Sequence, residues 1–446
     1  MELQLKNVGI IKEANIILDG LTLIAGENDT GKSTIGKALY SVVSGLNNAD
    51  KYYKYFYNNQ INSLKENIDR KLHNEILIRI SEVDSKIHNI YLKEKDKLEN
   101  SNNFLINFLQ PFEEDIENLK KSNFYEFVSK LREYDLDESL SKELEDIKSI
   151  LYREITEYEK KYFGIKKQIE IEFIDKIHSF YINSSNISIL YNNKKVIDID
   201  INNSELNETI SIGEVYAKDI TYIETPFVFH FDNRNKFPYL RKRVISPDGR
   251  IIIRKEISYL INHIDDLLNK LNNSNTIENN YFMEISNEVR NKIGGYIEYN
   301  NNVRKLLFKK NNNYIELSNT AVGIKSFAII DLLLKSGVFN DKHILILDEP
   351  EVHLHPKWQI EYAKLMVKMA EELDIQILIN SHSPYFIEAI QKYSKKSEKI
   401  ADKTNFYLSE KQDDGYAVIK NVNNNLKSIF NTLYDAYNIL DKDTLS

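Results

Sequence analysis

Gly26-Glu27-Asn28-Asp29-Thr30-Gly31-Lys32-Ser33, with Thr34 following, fits the pattern G-x-x-x-x-G-K-[ST]. The residue types suit one task. Two glycines let a loop turn its backbone N–H groups toward phosphate oxygens, and a helix N-terminus completes the anion cradle. Lys32 carries a mobile ammonium for the β- and γ-phosphates of a nucleotide, and the Ser33 hydroxyl suits Mg²⁺. The competing reading is a chance match in a tight turn. With only 14 glycines in 446 residues, chance supplies such a match in roughly a few chains per thousand.

A second cluster lies far along the chain. Ile344-Leu345-Ile346-Leu347-Asp348-Glu349-Pro350 is an apolar strand ending in two acids. Asp348, at the carboxyl end of a buried strand, can hold the water shell of Mg²⁺, and Glu349 can orient or deprotonate an attacking water. Taken alone, a strand ending in Asp-Glu is a common surface turn; beside a phosphate loop it reads as catalytic. A third apolar strand, Ile375–Ile379, runs into Asn380-Ser381-His382-Ser383-Pro384. A lone His at a strand end is usually structural, but His382 at this place can reach a γ-phosphate and sense its loss. His353-x-His355 offers two metal-ligand types without a third at an identifiable spacing. Pro356 then opens a helix at its favoured first position, so Trp358, Leu365, Met366 and Met369 are expected in the core.

These residues need elements to carry them. Residues 1–25 read as short strands, the last of them Leu21–Ala25, and Ser33–Ser44 as the helix after the phosphate loop. From residue 50 the character changes: Leu72, Ile76, Ile80, Val83 and Ile87 recur at helical spacing. Strand character returns at Ile187–Leu190, Val196–Ile201 and Ile220–Phe231. Helices are expected at Glu256–Leu271 and Tyr281–Lys292, then strands at Tyr296–Tyr299, Val303–Phe308 and Tyr314–Leu317. From residue 322 helices and strands alternate regularly, with a sheet edge expected at 404–420 and a terminal helix. The fold class that follows is α/β: a mostly parallel sheet, an antiparallel β subdomain and a large α-helical insertion. The expected division is 1–49, with the phosphate loop; 50–177, the insertion; 178–300, a β/α return; and 301–446, with the acid pair and His382.

Composition narrows the function further. With 42% apolar residues, 28 Tyr and 20 Phe, the chain has ample material for a core. The absence of Cys excludes disulfides, thiolate metal sites and a Cys nucleophile. A net charge of −8 argues against a protein that coats DNA over its whole surface. One stretch departs from that balance: residues 234–255 carry Arg234, Lys236, Arg241, Lys242, Arg243, Arg250, Arg254 and Lys255 against only Asp248. It reads either as a solvated or partner-docking face or as a DNA groove. No signal pattern or apolar run of membrane-spanning length stands out, so a soluble, cytoplasmic protein without a membrane partner is expected.

Phosphate loop, Asp-Glu strand and Ser-His-Ser after the next strand, in this order, resemble an ABC-type ATPase of the OLD, RecF and chromosome-maintenance branch. Leu3-x-Leu5-Lys6-Asn7-Val8-Gly9 is similar to that branch's opening strand. Asp348-Glu349-Pro350-Glu351-x-His353-Leu354-His355-Pro356 is similar to the OLD-like motif, and Ser381-His382-Ser383-Pro384 to its His switch. The resemblance covers residues 1–46 and 290–395. It implies ATP and Mg²⁺ as ligands and a homodimer, or a higher even-numbered oligomer, closing head to head around ATP. It also implies that Ser318, Gly323 and Lys325 in Ser318-Asn319-Thr320-Ala321-Val322-Gly323-Ile324-Lys325-Ser326 contact the partner's nucleotide. Ala321 stands where that family has its phosphate-contacting Ser, so Ser318, Thr320 or backbone amides would have to substitute. Thr221-Tyr222-Ile223-Glu224-Thr225-Pro226 falls where a Gln loop is expected, and no Gln is present.

The TOPRIM-type nuclease domain that OLD relatives often carry is not expected in the residues that follow His382. The chain therefore resembles the stand-alone ATPase subunits of Septu, retron and PARIS-like anti-phage systems, which sense or scaffold for a separately encoded nuclease or toxin. The alternative is a DNA-clamping repair or chromosome-maintenance ATPase of the RecF kind, using residues 234–255.

Overall fold

The computed structural model describes residues 1–54, 155–173, 177, 182–203, 205–207, 210–224, 240–245, 251–256, 263–264, 266–267, 269–270, 280–300, 305–339 and 342–434. In chain order the strands and helices begin with β1 (Glu2–Val8), β2 (Ile11–Ile17), β3 (Leu21–Gly26), α1 (Lys32–Asn47) and α2 (Glu157–Phe173). Then come β4 (Ser184–Tyr191), β5 (Lys194–Asn202), β6 (Glu205–Leu206), β7 (Ser211–Ile212), β8 (Asp219–Ile223), β9 (Leu240–Ile245) and β10 (Ile251–Glu256). α3 (Asn280–Ile293), β11 (Tyr296–Asn300), β12 (Lys305–Lys310), β13 (Asn313–Glu316), α4 (Val322–Ser336) and β14 (His343–Asp348) follow. The last are α5 (Pro356–Leu373), β15 (Gln376–Ser381), α6 (Pro384–Ser394), β16 (Thr404–Lys411) and β17 (Ala417–Asn421).

One 12-stranded sheet runs in the order β6-β5-β4-β1-β2-β17-β16-β3-β15-β14-β8, with β7 beside β5. Its half from β16 through β3, β15 and β14 to β8 is parallel. The half from β2 through β1 and β4 to β5 is antiparallel and continuous with it. β3 and β14 are buried along their whole length, as parallel strands covered on both faces must be. Side chains alternate between two cores. Leu21, Leu23, Leu345 and Leu347 face α3 to α6, while Ile24, Ile344 and Ile346 face α1 and α2.

The chain divides into two compact units, Met1–Asn48 with Lys161–Ser446, and Ala49–Lys160. Lys161 onward thus belongs to the first unit, earlier than the expected boundary at 177. The helical insertion expected over 50–177 lies mostly outside the described residues. Among these, no helix is long and apolar enough to cross a membrane.

Three expected elements differ. Residues 404–420 are not an edge: β16 and β17 lie inside the sheet, because β17 pairs with β2 and brings the β1–β2 hairpin in beyond it. Glu256 ends a strand rather than opening a helix, since Ile251–Lys255 pair in register with β9; helical backbone is described only at 263–264, 266–267 and 269–270. The strand expected at Ile220–Phe231 ends at Ile223, and residues 225–231 lie outside the described set.

Candidate active site

The carboxyl ends of β3, β15 and β14 lie side by side, which is where parallel α/β sheets bind ligands. The phosphate loop leaves β3, the His382 turn leaves β15, and the acid pair leaves β14. The strand order therefore sets His382 between the loop and the acids.

In the loop, Gly31 adopts φ +84° and forms the N-cap of α1 without any side-chain cap. Gly26 lies so close to β16 that a Cβ would sit 2.6 Å from the Ser409 carbonyl oxygen. Thr30 is buried; its hydroxyl donates to the Glu27 carbonyl at 2.8 Å, and its own carbonyl accepts from Ser409 Oγ at 2.6 Å. Thr34 N donates to the Gly31 carbonyl at 3.1 Å. Glu27, Asn28 and Asp29 form the exposed rim, where Asp29 pairs with Lys411 at 2.6 Å. Lys32 is buried, and its ammonium donates to the carbonyls of Gly26 at 2.9 Å and Glu27 at 2.6 Å. Burial pulls its pKa below the ordinary lysine value, against the attraction of Glu349, Asp348, Glu351 and Glu27.

Asp348 is buried at the end of β14. Its Oδ1 accepts from Asn380 Nδ2 at 2.9 Å and its Oδ2 from the Tyr222 hydroxyl at 3.0 Å. Burial pushes its carboxyl up, while hydrogen bonds from Asn380, Ser33 and Tyr222 pull it down. Ser33 and Asp348 thus meet from two elements more than three hundred residues apart in the chain. A hydroxyl and a carboxylate beside a phosphate cradle fit a hard divalent cation that completes its shell with phosphate and water oxygens. Among the described residues no group of three or more His, Asp or Glu side chains could hold a metal alone.

Glu349 adopts φ +48°, uncommon for a non-glycine residue, and its N–H donates to the Asn380 carbonyl at 2.9 Å. Its Oε1 lies 3.2 Å from His382 Nδ1. Each group shifts the other: the contact holds the Glu349 carboxyl below its ordinary value and raises the His382 imidazole above its own. Both side chains are half-exposed, so water reaches them.

Glu351 is an anchor that the spacing of motifs did not single out. It is buried, and its Oε1 accepts from Ser381 Oγ at 2.5 Å, His382 N at 3.1 Å and Ser383 N at 3.3 Å. Ser383 Oγ donates to Gln359 Oε1 at 2.5 Å, and Gln359 Nε2 donates to the Leu354 carbonyl at 2.9 Å. One carboxylate thus holds the turn that carries His382. Tyr222 was also missed; the signal was a tyrosine in a buried strand, whose hydroxyl must find a partner.

Ser318, Gly323 and Lys325 lie at and before the start of α4, not on the phosphate loop. Gly323 faces Trp358, where a Cβ would stand 3.2 Å from the indole, and Phe327 meets the same indole edge-on. Ala321 is the N-cap and offers no side-chain hydrogen bond, while the Thr320 hydroxyl donates to the Leu317 carbonyl at 2.7 Å. Burial lowers the pKa of Lys325. His355 caps α5, its Nδ1 accepting from Lys357 N at 3.3 Å, and His353 adopts φ +67°. Met366 and Met369 are fully buried in the core.

The His382–Glu349 pair gives a pH-dependent prediction. The raised imidazole stabilises the fold fully below its ordinary value of 6.5, and loses this as pH rises through its folded pKa. The depressed carboxyl contributes above its ordinary value of 4.5 and loses this as pH falls through its folded pKa. Urea unfolding of His382→Gln should therefore fall below wild type by at most about 1 kcal/mol for a half-exposed pair. The gap should be widest between pH 4.5 and 6.5 and should shrink on further alkalinisation. A gap independent of pH would show that the pair does not carry charge.

A family model described as an AAA ATPase domain matches residues 1–387. No curated protein matches the chain. Among solved structures, an SMC head domain from Thermotoga maritima is similar at 11% identity and TM-score 0.38, covering 94% of this chain and 98% of that one. An SmcHead bound to the C-winged helix domain of ScpA is similar at 12% identity and TM-score 0.40, covering 94% of this chain and 96% of that one. An Smc head domain with an extended coiled coil, bound to the C-terminal domain of ScpA and derived from Pyrococcus furiosus, is similar at 12% identity and TM-score 0.34. It covers 99% of this chain and 98% of that one.

Proposed function

This chain belongs to the AAA ATPase domain family, and from that premise we propose that it is an ABC-type ATPase that closes head to head around ATP. The observation that carries the reading is the meeting of Glu349 and His382, 3.2 Å apart, at the strand ends beside the loop that carries Lys32. Lys32 and the loop amides bind the β- and γ-phosphates, and Ser33 and Asp348 hold Mg²⁺. That cation, when bound, neutralises charge developing on the transferred phosphoryl group. Glu349 orients the attacking water and takes its proton, and His382 contacts the γ-phosphate.

The second half of the site comes from a second copy. Ala321 leaves the N-terminus of α4 without a side-chain cap, so the backbone N–H groups around Gly323 are suited to the partner's γ-phosphate. Ser318 and Lys325 flank that contact. In this reading the dimer is the sensor or scaffold of an anti-phage system that controls a separately encoded nuclease or toxin.

A DNA-clamping role has one observation in its favour. The β9–β10 hairpin pairs Arg254 with Lys242 and Lys255 with Arg241, which concentrates positive residues on one ribbon. Arg234, Lys236 and Arg250 of the same basic stretch lie outside the described residues.

Sedimentation with and without ATP·Mg²⁺ tests the dimer. A shift from monomer to dimer only with ATP, lost in Gly323→Asp, is expected; a mass indifferent to ATP overturns head-to-head closure. DNA binding whose logarithm falls linearly with log salt would favour the clamp.

A further inference from the structure

Behind Asp348 lies a second layer of buried polar groups. Tyr222, from β8, is 1% exposed, and its hydroxyl donates to Asp348 Oδ2 at 3.0 Å. Its ring stacks on the imidazole of His263, with centroids 4.3 Å apart and planes 16° apart. Tyr40 of α1 meets both rings edge-on, at 5.8 Å and 4.7 Å. His263 is 3% exposed, and its Nε2 lies 2.9 Å from Oε1 of Glu172, a buried residue of α2. The same Glu172 oxygen accepts from Gln168 Nε2 at 2.9 Å, and Glu224 Oε2 lies 3.8 Å from His263 Nδ1.

The helix that follows the phosphate loop is shaped to admit this layer. A Cβ on Gly36 of α1 would stand 2.9 Å from Tyr222 Cε2 and 3.1 Å from Ile346 Cγ2. Glycine inside a helix costs about 1 kcal/mol relative to alanine, and here its bare backbone makes room for the ring. A buried tyrosine needs a partner for its hydroxyl, but a backbone carbonyl would serve. Here the partner is the carboxylate at the end of β14, and the ring behind it is fixed on three sides by α1, His263 and β14.

We propose that Tyr222 is a positioning residue of the divalent-cation site: its hydroxyl fixes the plane of the Asp348 carboxylate, and His263, tethered to Glu172, fixes Tyr222. The inference rests on Asp348 being the carboxylate that serves Mg²⁺. Groups behind metal-binding side chains commonly govern metal affinity by about 10- to 100-fold. Asn380 holds Oδ1, so Tyr222 and Asn380 together leave the carboxylate one orientation toward Ser33.

The test uses the full chain and a fluorescent ATP analogue, titrated first in EDTA and then with Mg²⁺. A parallel titration with Mn²⁺ is followed by electron paramagnetic resonance. In Tyr222→Phe, the cation concentration for half-saturation should rise about tenfold or more, while nucleotide affinity in EDTA stays within about twofold. His263→Gln keeps a hydrogen bond to Glu172 but removes the stacked ring, and should shift the cation requirement the same way by a smaller factor. A merely structural tyrosine would lower the melting temperature and leave the cation half-saturation at the wild-type value; that result overturns the proposal. Should the phenylalanine variant not fold, an unshifted requirement in His263→Gln overturns it equally. A wild-type chain that binds nucleotide indifferently to Mg²⁺ overturns the ATPase reading as well, and this is distinguishable because it needs no variant.

Discussion

Glu349→Gln is expected to slow ATP hydrolysis by about 10²- to 10⁴-fold, the usual range for loss of a general base, while ATP stays bound. Glutamine has nearly the same shape and can occupy the same place 3.2 Å from His382 Nδ1, so the turn and the phosphate loop are left in place. What it cannot do is take a proton from water. The wild-type carboxyl is held below its ordinary value by His382, so at neutral pH it is ionised and ready to accept a hydrogen bond from water. It is also half-exposed, and a water can reach it without displacing protein. Single-turnover hydrolysis with labelled ATP measures the chemical step, and sedimentation of the same variant with ATP·Mg²⁺ measures its consequence. If hydrolysis is what reopens the heads, the variant should persist as a dimer under ATP concentrations at which wild type cycles. Turnover at the wild-type rate would mean that Glu349 is misassigned and that another group orients the water.

The sequence was most informative where chemistry is carried by neighbours along the chain. The phosphate loop is legible because eight contiguous residues must bend, bind and donate together. The acid pair is legible because β14 is a run of apolar residues that stops at Asp348. The strand order was not legible. β3 pairs with β15 and β16, which lie hundreds of residues later, and parallel pairing leaves no turn signature to announce its partner. For the same reason β16 and β17 read as an edge: nothing local in Thr404–Asn421 says that β17 will pair with β2. Groups whose partner is distant in sequence were missed on the same physical ground. Tyr222 meets Asp348 across 126 positions and Glu351 meets Ser381 across 30. Tyr222 stands at a strand end where a Gln is sought, and Glu351 stands within the motif Asp348–Pro356, and neither position names a partner. Only the juxtaposition of strand ends turns them into holders of the Asp348 carboxylate and of the His382 turn.

Lys32→Met should separate binding from folding, with effects of opposite sign. The ammonium of Lys32 is the one group of the loop that can follow phosphate charge, and hydrogen bonds to charged partners contribute about 1.5–3 kcal/mol. At 1.4 kcal/mol per decade, ATP affinity should fall about 10- to 100-fold. The thermal shift that ATP produces in wild type should shrink accordingly, since it grows as the logarithm of ligand concentration over the dissociation constant. Without nucleotide the balance runs the other way. Burial dominates the electrostatics of Lys32 and lowers its pKa despite four nearby carboxylates, so the charge weakens the folded state at neutral pH. That penalty persists below the folded pKa and is relieved as pH rises through it toward the ordinary 10.5. Methionine keeps the length, removes the charge, and costs the Gly26 and Glu27 carbonyls one donor. The nucleotide-free melting temperature of Lys32→Met should therefore stay within about 3 °C of wild type or exceed it. Wild type should gain on the variant as pH is raised from 8 toward 10. Differential scanning fluorimetry across that range, with and without ATP, reads both effects in one experiment. A variant that unfolds without nucleotide would show that Lys32 holds the loop together, and a variant that keeps its ATP-dependent shift would show that the phosphates lie elsewhere.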